Sequence, residues 1–233
     1  MIDIHCHMLF DVDDGSPSIE ESLKMLREAR NQGIETVILT PHYRHGMFAY
    51  PTERIERNYA QLKALGEQIG VQLHLGCEYH VNSEICDAFS SGRCHTLADG
   101  RYILTEYSHA SEYTYLVQMT REVMMHGYIP ILAHVERYGC LTEDEERIAS
   151  LREMGAWIQV NADAVLGLEG RGPKKFCKNL LQEELVDVIA SDSHGIQKRA
   201  CHMRKCYDYI SKKYDPDYAG KLMQDNPAVI LSK

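Results

Sequence analysis

Met1-Ile2-Asp3-Ile4-His5-Cys6-His7 is the stretch on which the reading of this chain turns. Ile2 to Ile4 has the apolar character of a short buried strand, and two imidazoles stand at its end, two residues apart. In extended backbone, side chains at i and i+2 point the same way, so His5 and His7 can converge on one ion. Neutral imidazole is the commonest protein ligand for borderline transition metals. A single His-x-His pair also fits two polar residues at an ordinary strand end, so the other strand ends decide.

Working outward, the chain repeats one pattern. Asp11-Val12-Asp13-Asp14-Gly15-Ser16 reads as a turn, and Ser18 with Glu21 forms a capping box that opens a helix ending at Gly33. Thr36 to Thr40 is a buried strand closing at Pro41-His42. A long aromatic and basic loop, Tyr43 to Tyr50, leads to a helix over about 52 to 69. Strands follow near 71–75, 102–105, 129–133, 157–160 and 186–191, and helices alternate with them. Among these helices, Thr142 with Glu145 reads as a second capping box, and another helix is expected from about Lys198. The strand-terminal polar residues are 5, 42, 78, 106, 134, 161 and 192, separated by 27 to 37 residues, one βα unit each. Near-continuous apolar strands imply a parallel sheet covered on both faces, with right-handed crossovers. The expected fold is therefore α/β: a single domain, residues 1–233, forming a barrel of seven βα units rather than a doubly wound open sheet.

Composition narrows the partners. With 233 residues, 44% hydrophobic and 25% charged, the chain has ample core for one large domain. A formal charge of −9 argues against a nucleic-acid backbone as the main partner. No run of roughly eighteen apolar residues occurs, so no membrane insertion is expected. The N-terminus lacks the layout of a secretory signal, and the expected location is a reducing cytoplasm. Eight dispersed cysteines form no Cys-x-x-Cys pair, and none has an arginine six residues later, as a cysteine-dependent phosphatase loop requires. A nucleotide P-loop is also absent.

In α/β barrels, function gathers at the C-terminal ends of the strands. Here those ends carry His5/His7, His42, Glu78, Glu106, His134, Asn161 and Asp192/His194. Six of seven ends supply a His, Asp or Glu, more than chance placement of polar residues accounts for. With Asp14 from the turn, the donors are His5, His7, Asp14, His42, Glu78, Glu106, His134, Asp192 and His194. A tetrahedral zinc takes four ligands, so nine suit two or three ions with bridging carboxylates. Mixed nitrogen and oxygen donors without thiolate fit manganese, iron or zinc better than copper. Three divalent ions against four carboxylates leave about +2 formally, which suits a phosphate dianion. Such a cluster makes hydroxide available near neutral pH and stabilises charge in an in-line displacement. Arg44, Arg137 and Arg199 each lie a few residues beyond a ligand, where a guanidinium can grip a phosphoryl group.

Ile2 to His7, Asp11 to Ser16, Thr40 to Arg44, Gly76 to Glu78, Ile103 to Glu106, Ala133 to Tyr138 and Ala190 to His194 together resemble the PHP (polymerase and histidinol phosphatase) superfamily. More closely, the chain resembles the capsule-locus, manganese-dependent protein-tyrosine phosphatases of the CpsB/YwqE type, over essentially its whole length. The resemblance implies a distorted barrel of PHP type and a trinuclear site built from the nine donors. It favours Asp14 over Asp13 or Asp11 as the ligand from that turn. It assigns Arg137 and Arg199 to the substrate phosphate, and Arg44, from its place just after His42, is read as a further substrate contact. The cofactor it implies is Mn2+, two or three ions, with Fe, Zn, Co or Mg as alternatives. The implied reaction is hydrolysis of phosphotyrosine without a covalent phosphoenzyme. The implied partner is the tyrosine-rich C-terminal tail of a bacterial autophosphorylating tyrosine kinase that controls capsule or exopolysaccharide export.

Two features depart from the family pattern. Cys6 stands between the first histidines and is expected to face away, inert; His80 follows Glu78 and reads as an exposed loop residue. Rival readings are a PHP phosphoesterase acting on a small monoester, such as a histidinol phosphatase, and a non-catalytic phosphotyrosine-binding adaptor.

Overall fold

A computed structural model describes residues 1–232. Nine strand segments run in chain order: β1 (Ile2–Cys6), β2 (Thr36–Leu39), β3 (His42–Tyr43), β4 (Gln72–Leu75), β5 (Glu78–His80), β6 (Tyr102–Glu106), β7 (Ile129–Leu132), β8 (Trp157–Asn161) and β9 (Val188–Ala190). The α-helices α1 (Ile19–Asn31), α2 (Thr52–Gln68), α3 (Ile85–Ser90), α4 (Tyr113–Met125), α5 (Gly139–Thr142), α6 (Glu146–Glu153), α7 (Ala162–Leu166), α8 (Arg171–Gln182), α9 (Met203–Lys213), α10 (Pro216–Gly220) and α11 (Asn226–Leu231) alternate with them or close the chain. All strand pairs are parallel, in the orders β1-β2-β4 and β3-β5-β6-β7-β8-β9. The expected seven strands are thus nine segments in two sheets.

Two interruptions account for the difference. Between β2 and β3 stands Pro41, which has no N–H to give to a ladder. Its carbonyl instead accepts from the Glu78 N–H (3.2 Å). Between β4 and β5 stands Gly76, where a Cβ would lie 2.6 Å from the Leu97 side chain. The sheet curls back on itself: His5 O accepts from Asp192 N (2.9 Å) and His7 N donates to Ser193 O (2.8 Å), joining β1 to the end of β9. Asp3 reinforces the seam, its buried carboxylate accepting from the Ser191 N–H and hydroxyl.

Side-chain alternation sorts the core into an inner cluster, including Ile4, Ile38, Leu104, Ile131 and Val188, and a larger outer one beneath the helices. In β1, Ile2 and Ile4 pack with the inner cluster but Cys6 with the outer one. A regular strand would put all three on one face. The register shift between Asp3 and Cys6 makes the change. It is this irregularity that re-aims His5 and His7 toward the interior, as bulges beside sites commonly do. Cys6 behaves as expected, fully buried with its thiol directed at Ile38 O (3.7 Å).

Two helix starts differ from expectation. Thr142 ends α5 instead of capping the next helix: its hydroxyl donates back to Gly139 O (3.2 Å), and the Asp144 carboxylate accepts from Glu146 N. Arg199, at φ +49°, closes a loop through His194 N to Arg199 O (2.9 Å), so the expected helix from Lys198 begins only at Met203. No helix among the described residues is long and apolar enough to cross a membrane.

Candidate metal centre

The nine donors named from strand ends and the Asp14 turn meet at one end of the curled sheet. Glu78, fully buried at the start of β5, is their hub. Its Oε2 lies 3.2 Å from His5 Nε2, 3.1 Å from His7 Nε2 and 3.0 Å from His42 Nδ1, while Oε1 lies 2.8 Å from His134 Nε2. Asp192 Oδ1 stands 3.5 and 3.6 Å from the same nitrogens of His5 and His7. Asp14 Oδ1 sits 3.5 Å from both His42 Nε2 and His194 Nε2. Donor atoms fall into three overlapping sets, each within 4.8 Å: His7, Asp14, His42 and His194; His5, His7, Glu78 and Asp192; and His42, Glu78 and Glu106. His134 lies outside these sets and touches the hub through Glu78, with Glu106 at 4.0 Å.

The backbone is bent to build this arrangement. His134 and Asp192 both occupy the left-handed region, at φ +35° and +49°. Non-glycine residues persist there only where surrounding structure holds them, and such strain gathers at functional sites. Gly15 is equally constrained: a Cβ there would fall 2.1 Å from His7 O. Only glycine lets the Asp13–Asp14 turn close over His7.

The turn separates the roles of its three acids. Asp13 has a fully buried side chain that accepts from His7 Nδ1 (2.8 Å), the His42 N–H (3.0 Å) and the Gly15 N–H (3.0 Å). It orients His7 and presents Nε2 to the centre. Asp14 has a side chain 48% exposed and aims at two imidazole nitrogens. Asp11 points outward, 3.8 Å from Arg54.

A second orienting device was not anticipated from the sequence, although Gln159 and Asn161 share one face of β8. Carboxylates of Asp192 and Glu169 can only accept, so Asn161 must present its Nδ2 to them (2.9 and 3.2 Å). Asn161 Oδ1 therefore accepts from Gln159 Nε2 (2.9 Å), and Gln159 Oε1 faces His5 Nδ1 and the His134 N–H, both at 3.0 Å. His5 must carry its proton on Nδ1 and offer Nε2 inward. Gln159→Leu is expected to weaken ion binding about 10- to 100-fold, the usual cost of losing a ligand's outer partner. Metal titration by calorimetry checks this, and unchanged affinity would remove Gln159 from the site.

Electrostatically, the centre is short of positive charge. Burial pushes Glu106 up to about 7, aided by Glu78. Burial opposes the charge on Glu78 and Asp192, yet His5 and His42 hold Glu78 well below the usual range, and His5, Arg137 and Arg199 do so for Asp192. Burial disfavours charge on His7 as well, but the Asp13 and Glu78 carboxylates override it and raise His7 to about 10. His42 goes the other way, lowered by burial to about 4. Among the described residues, His42 Nδ1, Glu78 Oε2, Glu106 Oε2, His134 Nδ1, Asp192 Oδ1 and His194 Nε2 are buried without a hydrogen-bond partner. Buried polar atoms are rarely left so. Divalent cations fit this donor set, since they would satisfy orphaned lone pairs and the charge deficit together.

The raised His7 has a testable consequence. In ion-free protein, its contribution to stability is fully present below the usual 6.5 and is lost as pH rises through about 10. An ion on Nε2 must displace that proton. Affinity is therefore expected to rise by about tenfold per pH unit from neutrality toward that upper value. Mn2+ titrations at several pH values, with buffer-dependent heats counting released protons, measure it; pH-independent affinity would be the opposite result.

The rim carries the arginines. Arg137 and Arg199 both donate toward Asp192 Oδ2, at 3.0 and 2.8 Å, and Arg137 also reaches Glu169 (3.2 Å). Arg44 is half-buried, and its charge helps oppose the rise of Glu106. His80 is not an exposed loop residue: it lies half-buried in β5, lowered by burial and then by Arg44. Of the aromatic loop, Phe48 stacks on His42 (centroids 5.1 Å apart, 9° between planes), Tyr43 stacks on Tyr79, and Tyr50 is buried against Gly76 O.

The chain is similar to known proteins over its whole length. The chain is 36% identical to the tyrosine-protein phosphatase CpsB of Streptococcus pneumoniae, over 99% of this chain and 98% of that protein. It is 31% identical to the tyrosine-protein phosphatase YwqE of Bacillus subtilis, over 99% and 91%. Crystal structures of YwqE and CpsB, termed unique metal-dependent tyrosine phosphatases, include a chain that superposes with a TM-score of 0.92 at 29% identity, covering 100% of this chain and 94% of that one. The phosphotriesterase homology protein of Escherichia coli shares the fold alone, with a TM-score of 0.58 at 12% identity over 98% and 97%. Residues 1–232 match the family model for capsular polysaccharide synthesis, CpsB/CapC. The chain belongs to the CpsB/CapC family.

Proposed function

We propose that this chain is a metal-dependent protein-tyrosine phosphatase, a phosphoric monoester hydrolase of capsule or exopolysaccharide synthesis. The observation that carries this reading is the ring of His, Asp and Glu around Glu78, in which buried donor atoms of His42, Glu78, Glu106, Asp192 and His194 lack a hydrogen-bond partner. We read the nine segments as seven βα units of a PHP-type barrel in a single domain, with β2/β3 and β4/β5 each one interrupted strand.

His5, His7, Asp14, His42, Glu78, Glu106, His134, Asp192 and His194 would hold two or three ions, Mn2+ foremost, with Fe, Zn, Co or Mg able to substitute. Bound there, divalent cations supply Lewis acidity to the phosphoryl oxygens and a water acidic enough to attack near neutral pH. The rest is done by the chain. Asp13 and Gln159 hold His7 and His5 in the tautomers that face inward. Arg137 and Arg199, brought to one carboxylate oxygen at the rim, have further N–H groups with which to grip the phosphate and stabilise the negative charge that develops on it. Arg44 adds positive charge on the Glu106 side. Phe48, fixed against His42, offers an apolar face to the substrate ring. A phenolate is a moderately good leaving group, so no dedicated acid is required.

The substrate we infer is a phosphotyrosine protein in the cytoplasm, namely the C-terminal tail of a bacterial tyrosine autokinase. Parallel assays on a phosphotyrosyl tail peptide and on histidinol phosphate test it. A preference for the peptide is expected. A preference of about tenfold for the small ester, some 1.4 kcal/mol in transition-state binding, would shift the assignment to a small-molecule phosphatase.

A further inference from the structure

Away from the centre, one other group of donors converges. Cys86 on α3, Glu122 on α4 and His126 at the C-cap of α4 each offer a ligand atom within 4.8 Å of the others. The Cys86 thiol is directed at Glu122 O (4.0 Å), and His126 Nδ1 lies 2.9 Å from that carbonyl and 3.6 Å from Glu122 Oε1. Glu122 and His126 are one turn apart on one helix face, the i, i+4 spacing by which helices present paired ligands.

A second observation points to a cation at the same spot. The end of α4 presents the negative pole of the helix, and no basic residue occupies its last turn. The Glu122 carbonyl between the three side chains lies in that last turn and also accepts from the His126 N–H (3.3 Å). Nothing in the reaction uses these residues, and they stand on the helices that follow the Glu78 and Glu106 strands.

We propose that Cys86, Glu122 and His126 form a second metal site, selective for borderline-soft divalent ions of the zinc class. Sulphur, nitrogen and oxygen from three residues leave a fourth tetrahedral position for water. The thiolate sets its selectivity apart from the centre, whose nitrogen and oxygen donors suit harder ions. Binding moves the Cys86 thiol proton to solvent as the sulphur–metal bond forms. Without the ion, burial and then the Glu122 and Asp87 carboxylates keep that proton on. An ion here would tie α3 to α4 behind two of the ligand strands. The helices are already packed, so Cys86→Ser and His126→Ala leave the fold and the central ions in place.

Cobalt(II) distinguishes this site from the centre, because thiolate ligation gives a near-ultraviolet charge-transfer band that nitrogen and oxygen ligands do not. Co2+ added to manganese-loaded full-length protein is expected to produce that band, saturating at one equivalent, and Zn2+ is expected to abolish it. Cys86→Ser should eliminate the band, and His126→Ala should weaken Co2+ binding by at least about tenfold. Hydrolysis of phosphotyrosyl peptide should be unchanged in both variants. No band in the parent, a band that survives Cys86→Ser, or undiminished affinity in His126→Ala would each overturn the site.

Discussion

Glu78→Gln is expected to lower kcat/KM on phosphotyrosyl peptide by about a thousandfold or more, on the scale of removing a principal electrostatic group from an active site. Glu78 contacts four imidazoles, and two of the three donor sets depend on it. The amide keeps the size and most of the packing, so the fold should persist. What it removes is the negative charge that His5 Nε2 and His7 Nε2 share at the hub. Metal analysis should therefore show ion loss along with activity loss. In ion-free protein the change should also lower the His7 pKa, since Glu78 is one of the groups raising it. The stability His7 contributes would then vanish at a lower pH than in the parent. A variant that keeps its ions and at least half its activity would show that Glu78 packs against the centre without holding it.

Arg137→Ala is expected to behave differently. Its guanidinium lies at the rim, bonded to Asp192 Oδ2 and Glu169, and those carboxylates push its pKa still higher despite burial. It is charged at every working pH. Removing a donor aimed at developing charge costs about 10²- to 10³-fold, or roughly 3 to 4 kcal/mol, in the transition state. Ion content should stay near that of the parent, because Asp192 keeps Arg199 at 2.8 Å and Asn161 at 2.9 Å. Arg137→Lys should recover only part of the loss, since an ammonium cannot make the two-pronged contact. A loss below about threefold in Arg137→Ala would place the phosphate elsewhere, with the effect of an ordinary surface ion pair.

The site was more legible in the sequence than the framework that aims it. Polar residues at regular intervals after apolar runs mark strand ends, and that spacing alone brought His5, His42, Glu78, Glu106, His134 and Asp192 to one end of the sheet. Pro41 and Gly76 were visible as punctuation, but whether each divides a strand or ends it depends on pairing with distant segments. The register shift in β1 left no local mark, yet it determines that His5 and His7 turn inward. Gln159 was lost for the same reason: an amide inside a strand shows its purpose only when His5, more than a hundred residues earlier, is placed beside it. Thr142 misled because a Thr-x-x-Glu pattern is local, whereas its hydroxyl turns back to Gly139. Arg199 has no sequence signature of a left-handed backbone; the loop bond to His194 imposes it.

The central claim is that the nine donors hold the ions on which phosphotyrosine hydrolysis depends. Its most direct measurement is the initial rate on a phosphotyrosyl tail peptide after chelation and stepwise return of Mn2+, with bound metal counted at each step. The stripped protein should be inactive, and activity should return as two or three ions bind. His134→Ala should remain folded and inactive throughout. Full activity in stripped protein, or activity restored while fewer than one ion is bound per chain, would contradict a metal-dependent phosphatase built on this centre.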